Sequence, residues 1–208
     1  MYYLTVYNEP IVQPAEPEGV DVEGIVRGIH RIAEGRVQGP KAQLLASGVA
    51  VPWILEAQQL LAEDWGVSAD VWSVTSWSEL SRDGQAADEH NFLNPGAERQ
   101  VPYLTQKLSA ASGPFVAVSD FMRGVQEQIR AYVPGQYATL GADGFGFSDT
   151  RPAARRFFKI DGPSVVVRTL QLLAERGEVD PSLAVQAIEK YRLYDVNAGT
   201  TGSAGGES

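Results

Sequence analysis

The chain has 208 residues, 44% of them hydrophobic, enough for one or two domains with a packed core. Its formal net charge is -9 and no basic run occurs, which excludes a nucleic-acid partner, because phosphates require clustered Lys and Arg. The absence of cysteine excludes disulfides, thiolate nucleophiles and Cys-based metal sites, and His30 and His90 form no HExxH spacing.

The N-terminal "MYYLTVYNEP" lacks the basic start and apolar core of a signal peptide, and no apolar run reaches the ~20 residues of a membrane span. No membrane partner is expected, and the cytoplasm is the expected location. "YYLTVY" reads as a strand beginning at the second residue with no lead-in, as expected of a fragment of something longer. The proline-rich, acidic stretch that follows reads as an extended linker, so residues 1–23 form a strand plus connector. One α/β domain is expected over 24–196, and a disordered Gly/Ser/Thr-rich tail over 197–208.

Within that domain, "GIVRGIHRIAEG" (24–35) predicts a short edge strand in its second half, which puts His30 at the surface. "KAQLLASGVA" (41–50) reads as a buried strand. "PWILEAQQLLAEDWG" (52–66) places Ile54, Ala57, Leu60, Leu61 and Trp65 at helical spacing, with Pro52 in the first turn and Gly66 as the cap. "ADVWSVTSW" (69–77) predicts a strand, and 78–93 a helix capped by Ser78 and open to a break at Gly84. His90 reads as a loop residue making a structural hydrogen bond.

The scheme then repeats. "GPFVAVSD" (113–120) predicts a strand and Asp120 a cap for a helix over 121–133. "QYATLGAD" (136–143) is the last strand. Two helices follow, one capped by Asp161 or Ser164 and ending at Gly177, the other starting at Asp180-Pro181. Strands alternating with helices predict a three-layer α/β domain: a mostly parallel five-stranded sheet, one edge strand able to run antiparallel, and helices on both faces.

Two loops at strand carboxyl ends are the candidate sites, since open α/β sheets bind ligands there. "SVTSWSELSRDG" (73–84) offers Ser76, Glu79, Arg82 and Asp83; a solvated first turn explains the same residues. "GADGFGFSDTR" (141–151) offers Asp143, Ser148, Asp149 and Arg151. Its glycine spacing is GxxGxG, not the GxGxxG of a dinucleotide site, and it lacks the GK[ST] of a P-loop. Gly141, Gly144 and Gly146 then read as backbone relief, with Ser148 or Asp149 capping a short helix through Arg155 and Arg156. No pair of carboxylates stands out for acid–base work.

Taken together, "YYLTVYNEP", "GIVRGIHRI", "RQVPYL", "VAVSDFMRGVQEQIRAYVP", "FFKIDGPSVVVRTLQLLAERGEV" and above all the two strand-end stretches resemble the C-terminal domain of the homodimeric pyruvate dehydrogenase first component. The resemblance runs from Tyr2 to about Tyr191, and it implies that "YYLTVYNEP" is the last strand and exit linker of a preceding domain. It implies a transketolase C-terminal-type domain that supports assembly of a thiamine-diphosphate- and magnesium-dependent enzyme, which decarboxylates pyruvate and reductively acetylates lipoyl groups. The implied partners are the N-terminal and middle domains of the same enzyme, the homodimer partner and the dihydrolipoyl acyltransferase core. The family's magnesium and cofactor residues belong to the other two domains, so the resemblance implies no catalytic, cofactor-binding or metal residue here, and an inactive isolated chain. A stand-alone module binding a small anion or protein through Arg82 and Arg151 remains an alternative. So does the same domain of a 2-oxoglutarate dehydrogenase or a transketolase.

Overall fold

The structure, a computed structural model, describes residues 19–200. The expected N-terminal strand, most of the connector and the tail from 201 lie outside the described residues. Helix α1 (Val22–Arg27) begins inside the stretch expected to be connector. Asp21 caps it by accepting from Gly24 N (2.9 Å), and Gly28 closes it at φ 107. Strands β1 (His30–Ala33) and β2 (Lys41–Ala46) precede helix α2 (Val51–Trp65), which Gly66 ends in the left-handed conformation. Strand β3 (Ser68–Ser73) and helix α3 (Trp77–Leu93) follow, then short helix α4 (Tyr103–Lys107) and strand β4 (Phe115–Val118). Helix α5 (Arg123–Glu127), strand β5 (Tyr137–Leu140), and helices α6 (Arg151–Phe158), α7 (Gly162–Glu175) and α8 (Ser182–Lys190) complete the order.

The sheet order is β1-β3-β2-β4-β5. β2, β3, β4 and β5 pair in parallel, while β1 pairs antiparallel to β3 with an irregularity between Arg31 and Ala33. The expected mostly parallel five-stranded sheet with an antiparallel edge is therefore present. Alternation along each strand builds two cores. Leu44, Val71 and Val116 point into one with α2 and α7; Leu45, Trp72 and Ala117 point into the other with α3, α4 and the chain around α5. This is the three-layer arrangement of a sheet buried on both faces. Among the described residues no helix is long and apolar enough to cross a membrane.

Four local expectations change. α3 runs unbroken through Gly84, because the missing side chain admits Tyr132: a Cβ there would lie 2.2 Å from Tyr132 Cε2. The helix expected over 121–133 is only α5 followed by a 3-10 turn at Arg130–Tyr132, and Asp120 does not cap it. Instead Gln126 turns inward to the Ser119 hydroxyl (2.5 Å), and Phe121 N donates to that same hydroxyl (3.1 Å). Part of the expected disordered tail, Val196–Thr200, forms a 3-10 turn, with Gly199 close against the Pro152 carbonyl. His30, expected at the surface, is only 9% exposed.

Asp161 caps α7, as its sequence position suggested, by accepting from Ser164 N (3.1 Å). Its other oxygen takes Arg156 Nε at 2.5 Å, and Arg156 also donates to the carbonyls of Tyr191 (2.7 Å) and Arg192 (3.3 Å). The guanidinium is almost fully enclosed, so without Asp161 its buried charge would lack a counter-ion. Arg156→Met should lower the unfolding free energy by about 3–5 kcal/mol in urea titration. Adding Asp161→Asn should recover part of this loss, since the amide still caps α7 and leaves no unpaired charge.

Candidate functional site at the strand carboxyl ends

All four parallel strands end on one rim of the sheet. β2 leads to Ser47 and Gly48, β3 to Val74–Ser76, β4 to Ser119–Met122 and β5 to the loop at 141–150. The chain leaves β2 toward β3 on one side and reaches β4 on the other, so the rim between β2 and β4 is the topological switch point. At the end of β2, Ser47 Oγ accepts from Nε1 of Trp77, the first residue of α3 (2.9 Å). Both side chains are buried. After β4, Asp120 Oδ1 is buried without a hydrogen-bond partner among the described residues.

The first loop builds a helix start. Ser76, not Ser78, caps α3 by accepting from Glu79 N (3.1 Å), and Ser78 Oγ lies 3.3 Å from Ser76 Oγ. Glu79 pairs with Arg82 on the helix surface. Asp83 does more: one oxygen pairs with Arg27 of α1 (3.1 Å) and the other accepts from Tyr103 N at the start of α4 (2.6 Å). Arg27 also lies over the Tyr103 ring, 3.8 Å from its centroid. Asp83 thus clasps three helices together.

The second loop is locked to the end of β4. Gly141 sits where a Cβ would fall 2.6 Å from the Phe121 carbonyl, so a side chain is excluded. Ala142 N donates to that carbonyl (2.9 Å). Asp143 accepts from Arg123 N (2.9 Å) and Arg123 Nε (2.5 Å), and these bonds hold its carboxyl below the ordinary range. Gly144 and Gly146 adopt φ 104 and 94 with open space where a Cβ would go. The expected cap is displaced: Thr150 occupies the N-cap of α6 without a side-chain bond, while Asp149 accepts from Thr150 N (2.7 Å). Ser148 is exposed, and Arg151 opens α6.

A cleft of about 600 Å³ lies between this loop and α5, lined by Met122, Arg123, Glu127, Ala142 and Asp143. Its two acids are committed. Glu127 accepts from Arg130 (2.5 Å) and Thr139 (2.5 Å), and the Arg130 bond foremost keeps its carboxyl below the ordinary value. Neither acid is poised as a general base near neutrality. The structure does not unite the two candidate loops, because β2 and β4 separate β3 from β5, roughly 14 Å at the usual strand spacing. Ser76, Glu79, Arg82 and Asp83 therefore form one group, and Asp143, Ser148, Asp149 and Arg151 another. Sequence reading overlooked Arg27 and Arg123, the partners that occupy Asp83 and Asp143. His90, expected in a loop, lies in α3.

A magnesium–diphosphate group needs uncommitted carboxylate or amide oxygens beside a backbone cradle. Among the described residues no group of three or more His, Asp or Glu could hold a metal, and the loop glycines face outward. These residues do not fit that group.

A family model described as the transketolase-like TK C-terminal domain matches residues 28–161, which contain the whole sheet and both loops. The chain belongs to this transketolase-like C-terminal domain family. Relatives named "Pyruvate dehydrogenase E1 component" include that of Mycolicibacterium smegmatis, 57% identical over 95% of this chain. That of Mycobacterium tuberculosis is 58% identical over 95%, and that of Escherichia coli K12 44% identical over 92%. The chain spans about a fifth (21%) of each of these relatives. Among solved structures, a transketolase from Leishmania mexicana aligns over 80% of this chain and 22% of its own, with a TM-score of 0.50 at 20% identity. At that identity the likeness concerns the fold alone.

The clasp and the buried imidazole each carry a prediction. Asp83→Ala should cost about 1–3 kcal/mol of stability, because the Tyr103 amide and Arg27 lose their acceptor. Arg82→Ala, on the solvent side, should stay within about 0.5 kcal/mol; urea titration of both variants checks this. Burial holds His30 below the ordinary imidazole value of about 6.5, with Lys107 acting in the same direction and Asp21 opposing. A depressed imidazole contributes stability above the unfolded value that is lost as pH falls through the folded one. Unfolding free energy should therefore decline as pH drops below about 6.5, and His30→Gln should flatten that part of the profile.

Proposed function

We propose that the chain serves as the C-terminal structural and assembly domain of a pyruvate dehydrogenase first component. The observation that carries this reading is 57% identity across 95% of the chain to a relative named for that enzyme, with only 21% of the relative covered. In this reading the intact enzyme is a cytoplasmic homodimer. It decarboxylates pyruvate with thiamine diphosphate and magnesium held by its other domains. It then passes the acetyl group to lipoyl groups of a dihydrolipoyl acyltransferase core. The committed acids of both rim loops support a domain whose polar side chains organise structure and not chemistry. The transketolase and 2-oxoglutarate dehydrogenase alternatives gain no comparable support, since the transketolase likeness is one of fold at 20% identity.

A graft tests the reading. This chain replaces the matching part of the Mycolicibacterium smegmatis enzyme in the full-length protein. The graft should retain pyruvate-dependent lipoyl acetylation, while the 208-residue chain alone should turn over no pyruvate. A folded graft without activity would overturn the proposal, as would decarboxylation by the chain alone.

A further inference from the structure

A second cleft, of about 440 Å³, opens at the end of the sheet opposite the two candidate loops, between α2 and the start of β3. α2 contributes Leu55, Gln58, Ala62 and Glu63 to its walls, β3 contributes Ala69, and the connection from β1 to β2 contributes Arg36. Its volume lies within the range of small-molecule sites, about 300–1,000 Å³. The wall that carries Arg36 is fixed by the fold. The Glu34 carbonyl accepts from Gln58 Nε2 (3.0 Å), and Gly35 N donates to Asp70 Oδ1 (2.8 Å). A Cβ at Gly35 would fall 2.2 Å from Ser68 Oγ, so the chain lies directly against β3.

Three polar groups of this cleft keep bonding capacity that the protein does not use. Gln58 is 6% exposed, and its amide nitrogen donates to the carbonyls of Glu34 and Ala69 (3.0 and 2.8 Å). Both neighbours are acceptors, so the amide has one orientation, and Oε1 has no donor among the described residues. That oxygen is not sealed from solvent either. Arg36 is exposed and has no ion pair or hydrogen bond among the described residues. The acids nearest it in the chain are engaged: Glu34 pairs with Arg31, and Asp70 holds Gly35 N. Glu63 accepts from Gln59 Nε2 through Oε1 (2.9 Å), which leaves its other oxygen without a donor. Arg36 and Glu63 thus line one cleft with opposite charges and form no salt bridge with each other.

A dipolar ligand answers all three groups together. An anionic group meets the guanidinium, and a cationic donor meets the Gln58 oxygen and the Glu63 carboxylate. A simple anion would leave Gln58 without a donor and be repelled by Glu63, and a simple cation would be repelled by Arg36. Leu55 and Ala62, half-buried, and Ala69 offer an apolar side chain a surface to rest on. We propose that this cleft binds a free α-amino acid with a short apolar side chain, its carboxylate on Arg36 and its ammonium on Gln58 Oε1 and Glu63. The site lies wholly within this chain and does not depend on which enzyme carries it.

Calorimetric titration of the 208-residue chain with L-leucine, 4-methylpentanoate, isoamylamine and inorganic phosphate tests this. L-Leucine should bind with a Kd of about 1 mM or tighter, and the two analogues that lack one charge about tenfold more weakly. Phosphate should give no heat of binding. Arg36→Gln should weaken L-leucine about tenfold and leave the melting temperature unchanged, since the side chain is exposed and unpaired. Glu63→Gln should weaken L-leucine yet strengthen 4-methylpentanoate, a reversal that a merely structural change does not produce. Absence of saturable L-leucine binding up to about 10 mM would overturn the proposal. Binding left unchanged in both variants would place the ligand elsewhere and overturn it too. Equal affinity for L-leucine and 4-methylpentanoate, or displacement of L-leucine by phosphate, would make the cleft a plain anion site and overturn the amino-acid assignment.

Discussion

The buried Arg156–Asp161 pair organises the side of the domain that follows the sheet. A guanidinium 3% exposed needs a close counter-ion and acceptors for its remaining donors to offset its lost hydration. Asp161 supplies the first and the carbonyls of Tyr191 and Arg192 the second. Because Asp161 also caps α7, one carboxylate fixes where α6 stops, where α7 starts and where the chain leaving α8 must lie. Lys159 absorbs the tight turn between the helices at φ 59 and returns its ammonium to the Arg156 carbonyl (2.8 Å). α7 can then lay Val165, Val166, Leu170 and Leu173 against α2 and the sheet with no solvent exposure. The ionic corner does not drive folding, since apolar burial does that; it decides which packing the apolar faces adopt.

A similar division of labour runs through the centre of the sheet. β2 lies between β3 and β4, so its residues meet a core on each side. Its one buried amide, Gln43, accepts from Trp72 Nε1 (2.7 Å) and donates to the Ser112 carbonyl (2.9 Å). On the opposite face Gln58 of α2 donates to the carbonyls of Ala69 (2.8 Å) and Glu34 (3.0 Å). Each amide satisfies groups that the strands cannot reach among themselves, which ties the connections on both faces to a fixed register.

How much of this could be read in advance depended on range. β2 to β5, α2 and α7 were legible because apolar period, Gly66 and Asp161 are local signals. α1 was not, because six residues with Val22, Ile25 and Val26 exposed present no apolar stripe, and the cap at Asp21 sits in an acidic run. α5 misled in the other direction: Val125, Ile129 and Tyr132 keep helical spacing, yet Gln126 bends inward and the chain continues in a 3-10 turn. At the rim, the loops were found from their position after strands, whereas their use was hidden. Asp83 meets Arg27 across 56 residues and Asp143 meets Arg123 across 20, and no local pattern announces either pairing.

Trp77 carries a broader consequence. Its indole is buried in the core on the α3 side of the sheet, and Ser47 at the end of β2 accepts its N–H. Removing the indole would leave a cavity of matching shape, with a hydroxyl already placed to orient an aromatic heterocycle offered in return. The scaffold is thereby one side chain away from chemical complementation, and free indole is the natural first molecule to fill it.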